Sequence, residues 1–91
     1  MLSTRDYNIL DCLAEDAGFT TRQVALKAWT SHDRRGSANC RLALLWLQRE
    51  GYVGTLDNQK PVCWVRTRQG SVELKRAVEN YDYVPYRPDA A

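Results

Sequence analysis

Cysteine, histidine and long apolar runs are scarce in this chain, and each scarcity closes off a class of function. Only three cysteines are present, Cys12, Cys40 and Cys63, widely spaced and with no Cys-x-x-Cys pair among them. With His32 as the single histidine, the ligand spacing of a structural zinc site is missing, and no metal is expected. All three cysteines fall at positions that read as core or half-buried, where the free thiol acts as a small apolar residue. A reduced, cytoplasmic protein is the expectation. No apolar run approaches the roughly 20 residues of a membrane span. The first 25 residues include Asp6, Asp11, Glu15 and Asp16 and no uninterrupted apolar core, so no signal peptide is expected. No glycine-rich phosphate loop is present. His32 has no paired nucleophile and reads as a solvent-exposed residue or a phosphate neighbour. Neither an enzyme nor a cofactor is therefore expected.

What is there is one domain's worth of chain, 91 residues at 44% apolar and 26% charged, the composition of an ordinary globular protein. The net charge of +2 hides a segregation. Residues 1–21 carry one arginine against four acids. Residues 22–49 hold Arg22, Lys27, Arg34, Arg35, Arg41 and Arg49 against Asp33 alone. Residues 57–76 are again net basic and residues 77–91 net acidic. A basic middle between acidic ends implies either an anionic partner, most often nucleic acid, or solvated helix faces.

Capping signals divide the chain. Ser3 with Asp6 opens a first helix, with Leu2 and Tyr7 at the staple positions. Leu10, Leu13, Ala14 and Ala17 continue its face, beside Ile9, to a stop at Gly18. Asp11, Glu15 and Asp16 read as its solvated side. Thr20 with Gln23 opens a short second helix between the staple residues Phe19 and Val24, with Ala25, Ala28 and Trp29 on its apolar face. The polar segment "TSHDRRGS" reads as a turn, after which Ser37 caps a third helix ending at Glu50 and Gly51. The period then becomes alternating: "YVGTLD" and "VCWVRT" are strand-like, and "NQKP" between them is a hairpin loop with Pro61 at its edge. Thr67 caps a fourth helix, weakened by Gly70, whose face is Leu74, Ala77 or Val78, and Tyr81. The ending "YDYVPYRPDAA" is either a strap laid on the body or a disordered tail.

The third helix, "SANCRLALLWLQRE", has two apolar sides on a helical wheel. Cys40, Ala43, Leu44 and Leu47 form the stripe expected to pack on the first two helices. Opposite lie Ala38, Arg41, Leu42, Leu45 and Arg49, with Trp46 on a flank beside Asn39. Trp46 either packs under the hairpin or the tail, or joins Leu42 and Leu45 in an interaction surface. Trp29 and Trp64 are expected in the core.

Helix, helix, helix, hairpin, helix is the α+β order of a winged helix-turn-helix. "REGYV" after the third helix, "CWVRT" closing the hairpin and "TRQGSVEL" resemble that family's exit from the third helix, its wing and the segment beyond. "TTRQVALKA" is similar to its second helix. "CRLALLWLQREGYV" with a Trp-bearing second wing strand looks most like the FaeA/PapI-type regulators of pilus operons, which also carry an arginine early in a leucine-dense third helix. A phage-encoded or mobile-element regulator fits the same pattern. The resemblance spans residues 3–74 and departs from the family in its longer turn, residues 30–36, and in its tail. It implies a winged domain over 1–80 with a tail over 81–91, and a small DNA-binding transcriptional regulator without an attached ligand-sensing domain. The third helix would enter the major groove, and the wing, residues 57–61, would touch the backbone of double-stranded DNA. Asn39, Arg41 and Leu42 would meet base edges, and Ser37 with the helix start a phosphate. Thr21, Arg22, Arg34, Arg35, Asn58 and Lys60, with Gln59 beside them, are placed for phosphate contacts. Gln23 is either a DNA contact or fully used by its cap. A homodimer through the tail or first helix fits the same reading. The alternative is a protein–protein interaction module using Leu42, Leu45 and Trp46.

Overall fold

The computed structural model describes residues 2–28, 34–56 and 60–85, with only the backbone for Arg34, Arg35, Gly36 and Ser37. Within them the chain is α+β: four helices and one small antiparallel sheet. The helices are α1 (Thr4–Cys12), α2 (Thr21–Ala28), α3 (Arg34–Arg49) and α4 (Arg68–Glu79). The strands are β1 (Phe19–Thr20), β2 (Val53–Thr55) and β3 (Cys63–Arg66). No described helix is long and apolar enough to cross a membrane.

The local signals formed as their chemistry requires. Ser3 and Asp6 make a reciprocal capping box at the start of α1. Thr20 and Gln23 make another: Gln23 N–H donates to Thr20 Oγ1 at 3.2 Å, and Thr20 N–H donates to Gln23 Oε1 at 2.8 Å. Thr67 Oγ1 accepts from Gly70 N–H at the start of α4, while its hydroxyl donates to the carbonyl of Gly51. One side chain thus closes the turn after α3 and opens α4.

The first helix ends earlier than its sequence pattern predicts. It stops at Cys12 rather than Gly18, so Ala14 and Ala17 are not helical, and Glu15 and Asp16 lie beyond the helix rather than on its face. The cause is distant. Arg66 reaches across from β3, donating through Nη1 to the Leu10 carbonyl at 2.8 Å and through its backbone N–H to the Ala14 carbonyl at 3.0 Å. The α1 C-terminus has no basic residue of its own, and Arg66 supplies the cation that complements its exposed carbonyls. Gly18 instead marks a close approach: a Cβ there would lie 2.7 Å from Leu56 Cδ1 and 2.8 Å from Cys63 Cβ.

A third strand joins the expected hairpin. Phe19 and Thr20 are extended and pair with Trp64 and Cys63, giving the order β1-β3-β2 with β3 in the middle. Two residues give too short a pattern to read as a strand; the partner, not the sequence, makes them one.

The third helix starts at Arg34, so Arg34 and Arg35 belong to its first turn rather than to a preceding loop, and Ser37 is inside the helix rather than its cap. Gly51, at φ 88°, takes the left-handed position after it. The core gathers Tyr7, Ile9, Leu10, Val24, Cys40, Leu44, Leu47, Trp64, Leu74 and Ala77, so every helix contributes. In α4 the face is Leu74 and Ala77. Tyr81 is not on it but exposed, and Tyr83 takes the buried place instead. The Tyr83 ring packs 5.5 Å from that of Tyr7, and its hydroxyl donates to Asn8 Oδ1 at 2.7 Å. The segment reaching Tyr83 is therefore a strap on α1. The readings for Trp29, His32, Asn58 and Gln59 lie outside the described residues.

Candidate nucleic-acid interface

The candidate surface is built on one helix with two unlike sides. Cys40, Leu44 and Leu47 are fully buried, as the first stripe requires. Burial also pushes the Cys40 thiol up to about 11, fitting it to an apolar role. The opposite side is open: Ala38, Asn39, Arg41, Leu42, Leu45 and Arg49 are all exposed. Trp46 is 44% exposed as well, so it is not buried by the described residues of the hairpin or the strap. Over its 16 residues α3 contains four arginines and no acid. Neither Arg41 nor Arg49 has an ion-pair partner among the described residues.

The start of α2 adds a second polar edge. Arg22 is exposed. Thr21 is half-buried, and its Oγ1 accepts from the indole N–H of Trp64 at 2.9 Å. Its hydroxyl hydrogen remains available as a donor, so the residue is partly committed to the fold. Gln23 is spent on its capping box through both its backbone N–H and its side-chain oxygen. On the hairpin, Lys60 is exposed. The elements carrying these residues are contiguous, since α2 packs on α3 and α3 on β2.

The remaining cations divide into used and unused. Arg66 is held by Leu10 and by Ser71, whose hydroxyl in turn donates to Glu15 at 2.8 Å. Arg76 clamps Glu73 and Asp82, and the guanidinium holds the Glu73 carboxyl below the usual carboxylate range. Lys27 lies 4.1 Å above the Phe19 ring. None of these three charges is free for a ligand. Arg49, Arg68 and Lys75 are exposed cations that the sequence reading did not assign to the interface. For Arg34, Arg35 and Ser37 the backbone lies in the first turn of α3, and Asn58 is outside the described residues.

Among the described residues no cluster of three histidine, cysteine or acidic side chains is arranged to hold a metal ion. Comparison of the chain with protein-family models, with curated proteins and with solved structures gives no match, so the residues and their geometry alone carry the functional reading.

Proposed function

We propose that this protein is a small winged-helix DNA-binding regulator, with α3 in the major groove and the hairpin on the adjacent backbone. The observation that carries the reading is α3 itself: a helix anchored by a fully buried stripe that turns Asn39 and Arg41 outward and has four arginines and no acid. A helix of that kind fits the major groove, where arginine can pair with guanine O6 and N7 and asparagine with adenine N6 and N7. The sheet order β1-β3-β2 supports it, because the strand before α2 packs on that helix and the first hairpin strand packs on α3. Arg22 and Lys60 would add phosphate contacts that fix register without reading sequence.

The test is selection from a random duplex pool followed by titration at two salt concentrations. With four to six phosphates neutralised, log K should fall against log salt with a slope of roughly −4 to −5. Arg41→Ala should abolish selective binding while the protein still melts cooperatively at the same temperature. Absent or salt-insensitive binding overturns the reading.

A further inference from the structure

The open side of α3 carries an apolar stripe of which the DNA reading uses only Leu42. Leu42, Leu45 and Trp46 are 66%, 41% and 44% exposed. Ala38, Leu42, Leu45 and Arg49 succeed one another at steps of four, three and four residues, the a/d spacing of a two-helix seam. In that register Arg41 and Trp46 flank the seam at g and e. A solvated face has no use for three large neighbouring apolar side chains, whereas a helix-on-helix contact takes its anchors from such a set.

Charge decides which helix fits. The sequence of α3 has four arginines and no acid, with Asp33 directly before it and Glu50 directly after it. A second α3 laid on the seam would set one net basic helix against another, a like-charge arrangement that interfaces avoid. An acidic helix meets both requirements: apolar residues for the seam and carboxylates for its edges.

We propose that this stripe docks an acidic amphipathic helix of another protein, with the partner's a/d residues covering Leu42, Leu45 and Trp46. One partner carboxylate meets Arg41 on the flank of the seam, and another meets Arg49, which closes the seam at its C-terminal end. The apolar anchors supply most of the affinity, and the rim charges select the partner and speed encounter. The inference does not depend on DNA binding. A docked helix would also cover Arg41, so a protein that bound both ligands would bind them one at a time.

The probe is a fluorescein-labelled synthetic helix about three heptads long, with leucine at a and d and glutamate at e and g, titrated against the full chain and read by anisotropy. A second peptide carries lysine for every glutamate. The acidic peptide should bind at least about tenfold more tightly than the basic one. Leu45→Asp, and separately Leu42→Asp, should weaken it by about tenfold or more with the melting temperature unchanged. Arg41→Glu with Arg49→Glu should reverse the preference between the peptides. Several results would overturn the proposal: no binding of either peptide up to about 100 μM, equal binding of both, or acidic-peptide binding that survives both aspartate variants. A dimer in sedimentation that Leu45→Asp dissolves would also overturn it, because a second copy would then cover the stripe.

Discussion

The indole Nε1–H of Trp64 donates to Oγ1 of Thr21 at 2.9 Å, joining the middle strand of the sheet to the first residue of α2 across 43 positions. Trp64 is only 3% exposed, so the bond is the means by which a core indole satisfies its donor. Thr21→Val keeps the shape and removes the acceptor, and should cost about 1–3 kcal/mol in urea unfolding. Thr21→Ser keeps the acceptor and should cost much less. Equal stability of the two variants would show that the indole has another acceptor.

Gly70 lies in the first turn of α4, and a Cβ there would drive into the carbonyl oxygen of Tyr52, which already accepts from Thr67 N–H at 3.1 Å. Backbone cannot rotate aside as a side chain can. Gly70→Ala should therefore lower stability by about 3 kcal/mol or more, although alanine is the better helix former on a free helix. A shift in denaturation midpoint of under about 1 kcal/mol would mean that α4 slides without penalty.

At the end of α4, Tyr81 takes φ 61° with its side chain 86% exposed. Tyr81 N–H donates to the Val78 carbonyl and Asp82 N–H to that of Ala77, the bonding of a Schellman turn whose left-handed position normally holds glycine. Tyr81→Gly should stabilise the protein by roughly 1 kcal/mol, since the strain goes and little packing is lost. Tyr83→Ala, two residues on, should cost about 3–5 kcal/mol because that ring sits on Tyr7 in the core. Thermal melts of the two variants should move in opposite directions.

Thiol chemistry should separate the three cysteines. Burial pushes the Cys12 thiol up to about 12, with the neighbouring Cys40 adding to the rise, and burial alone pushes Cys40 up to about 11. Iodoacetamide at pH 8 should label half-buried Cys63 first and reach Cys40 only as the protein unfolds. Because both folded values lie above the ordinary 9.0, the unfolded chain loses these protons first as pH rises. Their contribution to stability is whole below about pH 9 and is lost as pH climbs through 11 to 12. The urea midpoint should fall over that window, and less steeply in Cys40→Ala.

The sorting of cations gives a paired test of the DNA reading. Lys60→Ala should reduce the salt slope by about 1 and leave the melting temperature unchanged. Arg66→Gln should leave the slope alone and cost about 1–3 kcal/mol, because its guanidinium bonds to Leu10 and Ser71 would be lost. Reversed outcomes would mean that the exposed and the committed arginines and lysines have been wrongly divided.

The candidate surface was partly readable in the chain. The wheel of α3 separates Cys40, Leu44 and Leu47 from Arg41, Leu42 and Leu45, and the folded helix keeps that division. Which exposed charges are free was not readable. Arg66 and Arg41 are the same residue type in similarly basic stretches, yet one is held by a helix terminus 56 positions away and the other faces solvent. Trp46 is a similar case. Its flank position allowed either burial under the hairpin or exposure, and only the packing of neighbouring elements leaves it open.

The sequence alone determined what depends on bonds a few residues apart. The capping boxes at Ser3 and Thr20, the cap at Thr67 and the buried stripe of α3 all follow from local donors, acceptors and helical period. Tertiary structure decided where those elements stop and what joins them. Arg66 ends α1 at Cys12, β3 makes a strand of Phe19 and Thr20, Tyr52 requires glycine at position 70, and Tyr7 brings Tyr83 into the core. Each of these is a contact between residues far apart in the chain, and local periodicity carries no record of a partner that only folding brings near.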